Sequence, residues 1–262
     1  MNSDKQFSGK ILKIALGLSL AAGVFAASPL SVTGFSLWGS ASPSRHAILV
    51  RPAIPAGAPS VFSPDKGKLR ITINAQQIGT EDFEIAPSGD AWIERSSMTA
   101  QVPGGGQIKA NGQLRLSADG APLHYDWSAE AQKKATGAVD FVSGTAKCVA
   151  DLGGPVPLKK DFTFPSPRVA VLDNNLYYQF GVLAQQYDWK AGGKQTFPVL
   201  IPQDMVPGSI TVESLGPQQA GNGKFEALRV SSTDLEIIVY VDSSRRLMRI
   251  EVPSSNAVIE RQ

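Results

Sequence analysis

Strict alternation of apolar and polar residues most narrows what this chain can build. Between Gln107 and Ala118, Ile108, Ala110, Leu114 and Leu116 alternate with Lys109, Asn111, Gln113 and Arg115. A period of two belongs to a β-strand with one face buried and the other in water. Asp119-Gly120 then marks a tight turn. Leu123, Tyr125, Trp127 and Ala129 continue the apolar face against His124, Asp126, Ser128 and Glu130. Together the two runs predict a hairpin.

The same rhythm starts at Lys68, where Leu69, Ile71 and Ile73 face away from Arg70, Thr72 and Asn74. It predicts further strands over 80–86, 91–102, 136–143 and 145–152, and later over 209–215, 224–231, 234–242 and 246–252. Phe197, Val199 and Ile201 alternate around Pro198, which predicts a strand near a sheet edge. In 234–242, Ile238 and Tyr240 make the second face apolar as well, so this strand is expected to be covered on both sides. The rhythm breaks once. Leu176, Phe180, Leu183, Ala184 and Tyr187 recur at helical spacing after Asp173-Asn174-Asn175, whose side chains are suited to capping, so a helix is predicted over about 174–187. Gly181 inside it costs ~1 kcal/mol relative to alanine, which tertiary packing must offset. Many short strands at spacings near ten residues predict a mainly β fold. The expected architecture is a strongly curved antiparallel sheet or partly closed barrel with one amphipathic helix, in a single β-rich domain over 68–262.

The N-terminus has a different character. Lys5, Lys10 and Lys13 precede or open an apolar run from Ile14 to Phe25, and Val24-Phe25-Ala26 offers small residues at the two positions a signal peptidase reads. Residues 1–27 therefore read as a signal peptide. The uncharged stretch from Pro29 to Trp38 leaves an uncleaved anchor as the alternative. Both readings place the folded domain on the outer side of the membrane, in the periplasm or otherwise outside the cytoplasm. Membrane contact is then expected only through this segment. Residues 28–67 carry Pro29, Pro43, Pro52, Pro55, Pro59 and Pro64 among Ala, Ser and Gly, the composition of a semi-extended linker.

Charge excludes one class of partner. The three lysines and Asp4 of residues 1–27 account for the whole net charge of +2. The remainder is neutral and has no electrostatic drive toward phosphate backbones, so no nucleic-acid partner is expected. The single cysteine, Cys148, forms no internal disulfide and reads as a small buried side chain.

Catalytic signals are sparse. His46 lies in the linker. His124 and Asp126 share the solvent face of a strand, which could orient an imidazole but reads more simply as an exposed polar face. No Gly-x-Ser-x-Gly elbow and no His- or Cys-rich metal spacing is present, so neither metal nor cofactor is expected. Gly104-Gly105-Gly106 precedes a strand, not a helix, and reads as a loop. Glu81, Asp82, Glu94, Asp126 and Glu130 are carboxylates that a hydrolase could pair, although sequence cannot bring two of them together. Among the aromatics, Trp92, Tyr125, Trp127, Tyr177 and Phe180 are the candidate ligand-binding residues if the sheet curls around the helix and leaves an apolar groove. The competing assignment for the same side chains is a packed core.

The run Leu235-Glu236-Ile237-Ile238-Val239-Tyr240-Val241-Asp242, followed by Arg246-Leu247-Met248-Arg249-Ile250-Glu251-Val252-Pro253, resembles the closing hairpin of a class of bacterial envelope proteins of unknown function. These are similar in outline to the lipoprotein-carrier (Lol) half-barrels. The resemblance covers 68–262 and implies a curved antiparallel sheet with a helix at its open side. The chain has no lipoprotein cysteine, and no functional residues carry over. The function expected from all of this is non-catalytic: an envelope protein that binds an apolar ligand, a lipid or a lipidated partner in a curved groove. The alternatives are an envelope assembly factor working through protein contacts, and a secreted glycan hydrolase.

Overall fold

The computed structural model describes residues 60–101, 106–233 and 235–262. The signal segment, most of the linker, His46, Gly104 and Gly105 lie outside the described residues. Eight strands come first: β1 (Asp65–Ile73), β2 (Gln76–Ser88), β3 (Ala91–Gln101), β4 (Gln107–Ser117), β5 (Pro122–Glu130), β6 (Lys134–Val142), β7 (Thr145–Asp151) and β8 (Leu158–Thr163). After β9 (Ala170–Val171) and the helix α1 (Gln179–Gln186) come β10 (Lys194–Ile201), β11 (Val206–Ala220), β12 (Gly223–Ser231), β13 (Glu236–Val241), β14 (Leu247–Val252) and β15 (Ala257–Arg261). Every run predicted as a strand is one. Three further strands, β8, β9 and β15, were not foreseen.

All fifteen belong to one sheet, in the order β8 to β1 and then β15 back to β9. Each half is a meander in which sequence neighbours pair antiparallel, and β1 and β15 join the halves. Only β9 runs parallel to its neighbour β10. The sheet curves strongly but does not close, because β8 and β9 are left as its two edges. Register shifts at Ile71/Thr72, Arg115/Leu116, Ser214/Gly216 and Tyr240/Val241 insert bulges, which increase the local bend and twist. Pro198 sits on β10 just before the two residues that pair with β9, where no ladder N–H is needed.

The inner face of the curve is the core. Leu69, Ile71, Ile85, Leu114, Val212, Val239, Ile250 and Ile259 are all at most 1% exposed. Phe62 is also buried, and the Val61 amide donates to the Ala118 carbonyl at 3.0 Å, so the folded part takes in the last residues assigned to the linker. On β13 the second face is covered too, where Tyr240 and Ala227 form a small cluster with Leu215, Phe225 and Ile238.

Helix α1 packs inside the curve against β13 and β14. A Cβ on Gly181 would come within 3.1 Å of the Leu247 Cβ, so the glycine permits this close approach. The helix is shorter than its apolar spacing predicts and starts at Gln179, with no side-chain cap of its own. Asp173 does not cap it. One Asp173 oxygen accepts from the Asn175 amide at 2.8 Å, and the other is taken by the Tyr125 hydroxyl and the Gln203 amide. These bonds hold 173–175 in a turn rather than a helical start.

Candidate functional site

The face of β2–β7 that looks away from the core carries an open groove of about 830 Å³. Its origin can be traced to one cross-strand row. Phe83, Ser96, Gly112, Trp127 and Gly137 lie opposite one another on β2 to β6 with their side chains, where they have any, turned inward. Two of the five are glycines and one is serine. A Cβ on Gly112 would lie 2.5 Å from Leu176 Cδ1 and 2.7 Å from the Tyr125 hydroxyl, and one on Gly137 would lie 2.5 Å from Trp127 Nε1. Missing side chains let the sheet sink toward the interior along this row, and the backbone there becomes the floor.

The rows on either side point outward and form the walls. One runs Asp82, Ser97, Asn111, Ser128, Thr136 and Asp151; the other runs Glu84, Arg95, Gln113, Asp126, Ala138 and Val149. Crossing six strands takes five inter-strand steps, so the trough is roughly 24 Å long. Its floor N–H and C=O groups are already used in the sheet ladder, so recognition must come from the walls. At the β1 end the wall carboxylates are paired, Glu84 with Lys66 at 3.8 Å and Asp82 with Lys68 at 3.3 Å. Arg95 donates to the Gln113 carbonyl at 2.9 Å, and the Asn111 amide to the Ser128 hydroxyl at 3.3 Å. Asp126 faces His124 Nε2 at 2.9 Å, while His124 Nδ1 lies 2.7 Å from Asp140. Partial burial of His124 disfavours its charge, but the Asp140 hydrogen bond and the Asp126 carboxylate outweigh this and raise its pKa. With most charges spoken for, the middle of the trough presents short hydroxyl and amide groups.

Directly beneath the floor, inside the core, lies a knot of acids. Glu81 accepts from the amides of Tyr177 at 2.8 Å and Tyr178 at 3.1 Å, the free N–H groups at the start of α1. A residue 96 positions away therefore supplies the helix with the acceptors its own sequence lacks. Glu94 accepts from the Ser96 hydroxyl at 2.5 Å, and its Oε2 has no partner. Tyr125 donates to Asp173 at 2.5 Å. Burial is complete for all three acids and pushes Glu94 up to about 8, Glu81 to about 7 and Asp173 to about 6. An adjoining pair is ionic: Arg261 meets Asp65 at 2.6 Å, and Asp65 also accepts from the Tyr178 hydroxyl.

The five aromatics singled out from sequence fall mostly in the core. Tyr125, Trp127, Tyr177 and Phe180 are at most 5% exposed and belong to one apolar cluster, while Trp92 is half-buried at its margin, 5.8 Å from Phe62. Of these only Trp127 also borders the groove, from below. Cys148 is buried, and desolvation pushes its thiol up to about 11. Among the described residues no group of three or more His, Cys, Asp or Glu is placed to hold a metal ion. No described helix is long and apolar enough to cross a membrane.

No known family pattern matches the chain, and no curated protein does. Solved structures do. A β-barrel-like protein of the domain of unknown function DUF1849 from Brucella abortus superposes with a TM-score of 0.51 at 9% identity, over 78% of this chain and 96% of that one. A DUF1089 family protein from Pseudomonas aeruginosa has a TM-score of 0.41 at 10% identity, over 67% of this chain and 90% of that one. The first likeness identifies the class: this chain has the β-barrel-like fold of a protein assigned to a domain of unknown function.

Proposed function

We propose that the protein is a non-catalytic binding protein of the bacterial cell envelope, and that its ligand is a neutral, hydroxyl-rich chain, a glycan, lying across the outer groove of β2–β7. The middle of that groove carries the reading. Ser97, Asn111, Gln113, Ser128 and Thr136 each offer both donor and acceptor capacity at short reach, as sugar hydroxyls do. The envelope location rests on the lysine-then-apolar pattern of residues 1–27 and on the resemblance of the 235–253 sequence to the closing hairpin of envelope proteins. An apolar ligand or lipidated partner would need an open apolar face. Tyr125, Trp127, Tyr177 and Phe180 are instead packed in the core around the helix, which leaves the outer groove, with hydroxyl and amide groups on its walls, as the open site. Binding rather than hydrolysis fits because Glu81 and Glu94 point away from the groove, and Asp126 is engaged by His124.

Calorimetric titration with neutral oligosaccharides, chitotetraose and maltotetraose among them, tests this. Saturable binding that an Asn111→Ala/Gln113→Ala double variant loses supports the reading. A properly folded protein that binds no such oligosaccharide refutes it. A second reading, an assembly factor acting through protein contacts, has its own observation. Among the described residues, all the exposed large apolar ones, Val142, Val149, Leu152, Val156 and Leu158, lie on or beside the strands leading to the edge strand β8.

A further inference from the structure

We propose that Glu94, with Glu81 and Asp173 beside it, is a proton-operated latch beneath the groove: as the neutral acid it leaves Glu81 to hold the start of α1 against the sunken floor, and once ionised it repels Glu81 and loosens that hold. Its control of ligand binding rests on the groove being the ligand site; the latch itself does not.

The three acids come from three separate pieces of chain: β2, β3 and the turn before α1. Each touches the join between helix and floor. Glu81 binds the Tyr177 and Tyr178 amides, Glu94 binds Ser96 of the floor row, and Asp173 binds Tyr125, whose hydroxyl lies against Gly112 of the same row. Around them the facing groups are neutral or negative. The Gln179 carbonyl accepts from the Asp173 amide, Gln203 donates to its carboxyl, and Asp204 lies beyond Asn174 at 3.2 Å. From β1 and β15 the Asp65–Arg261 pair approaches through Tyr178, its charge already matched. Arg95 adds only a minor attraction from the far side of the sheet.

Among the described residues no cation pairs with Glu81, Glu94 or Asp173 to balance two or three negative charges. Glu94 Oε2 and Gln179 Nε2 are also buried without partners. An ionised Glu94 would keep a full charge in the core on a single hydroxyl donor, so the interior accepts it as the neutral acid. Loss of its proton to solvent sets a charge beside Glu81, and the repulsion falls on the bonds that seat α1. The upward pKa shifts agree, and they place the change between about pH 6 and 8 for the cluster as a unit.

Hydrogen exchange at the Tyr177 and Tyr178 amides, corrected for the intrinsic pH effect, reads the latch without any ligand. Protection is expected to fall about tenfold or more between pH 6 and pH 8.5 in the native chain. Glu94→Gln, which keeps the size and removes the charge, should hold it nearly level. Equal protection at both pH values, or the same loss in the variant, overturns the proposal. Should the variant not fold, carbon-13 titration of the native glutamates decides instead. The latch requires a buried glutamate that titrates above pH 6, and titration of every glutamate near its ordinary value refutes it. Chitotetraose affinity at the two pH values then reads the coupling: tighter binding at pH 6 in the native chain, and no difference in Glu94→Gln. Equal affinity at both pH values in the native chain overturns control of the groove. Absence of binding at both would refute the groove and leave the exchange result to judge the latch.

Discussion

The two halves of the sheet are built by the same meander from the same alternation, yet they bury different things. From β11 to β15 the inner face is almost wholly aliphatic: Ile210, Val212, Leu228, Val230, Ile237, Val239, Ile250 and Ile259. Apart from Arg261, which turns in to meet Asp65, charged side chains there stay outside, in pairs such as Arg249 with Glu251 and Glu260, or Arg70 with Glu260. From β2 to β6 the inner face mixes in Glu81, Glu94, Ser96, Gly112 and Gly137 among its large side chains. Apolar burial stabilises without conditions of pH, whereas buried acids are tolerated only in one protonation state. The aliphatic half thus serves as scaffold. The mixed half sacrifices stability for a bent floor and a titratable joint.

Substitutions should separate the halves. Gly112→Val is expected to cost the most, about 3 kcal/mol or more, because its side chain must displace Leu176 and the Tyr125–Asp173 pair. Thermal or denaturant unfolding measures it, and a loss below about 1 kcal/mol would mean that the floor is not held down from inside. Glu81→Ala should cost about 2–4 kcal/mol by leaving two buried amides at the start of α1 unpaired. In the other half, Val239→Ala should cost about 2 kcal/mol through lost packing alone, with the same loss at pH 5.5 and pH 8.5.

The pH profile itself is the next effect down. Glu81, Glu94 and Asp173 have raised pKa values, so the folded chain holds more protons than the unfolded chain above their ordinary values of 3.8 to 4.5. Their stabilising effect is complete below that range and drains away as pH climbs through about 6 to 8. His124, also raised, works in the same direction above its ordinary value of 6.5. The melting temperature should fall by about 5 °C from pH 5.5 to pH 8.5, and Glu94→Gln should remove much of that fall. A profile that rises over this interval would contradict the protonated knot. The smallest effect should come from Val156→Lys/Leu158→Lys at the exposed edge, within about 0.5 kcal/mol of the native stability.

Much of this contrast can be read in the residues once the alternation is taken as binding. Glu81 stands in phase with Phe83 and Ile85, and Glu94 in phase with Met98 and Ala100, so each was marked for the inner face. Both were recognisable as carboxylates of interest. What periodicity could not supply was their meeting with Asp173, which depends on the fold bringing β2, β3 and the turn before α1 together. The same limit explains the helix. Its apolar spacing was legible from Leu176 to Tyr187, but its start depended on an acceptor from β2 rather than on the adjacent Asp173-Asn174-Asn175. Strand β8, Leu-Lys-Lys-Asp-Phe-Thr, is exposed along nearly its whole length and shows no alternation to read. The groove was equally hidden, since polar outward residues look alike on a flat sheet and a sunken one. Its signal was two glycines, Gly112 and Gly137, placed in phase with Tyr125, Trp127 and the rest of the buried row.

Amide chemical-shift mapping during titration with chitotetraose tests the central claim most directly. The account predicts saturable shifts concentrated at Ser97, Asn111, Gln113, Ser128 and Thr136, with the aliphatic strands β12 to β14 unmoved. Shifts confined to β8 and its loops, or none anywhere at saturating sugar, would contradict it.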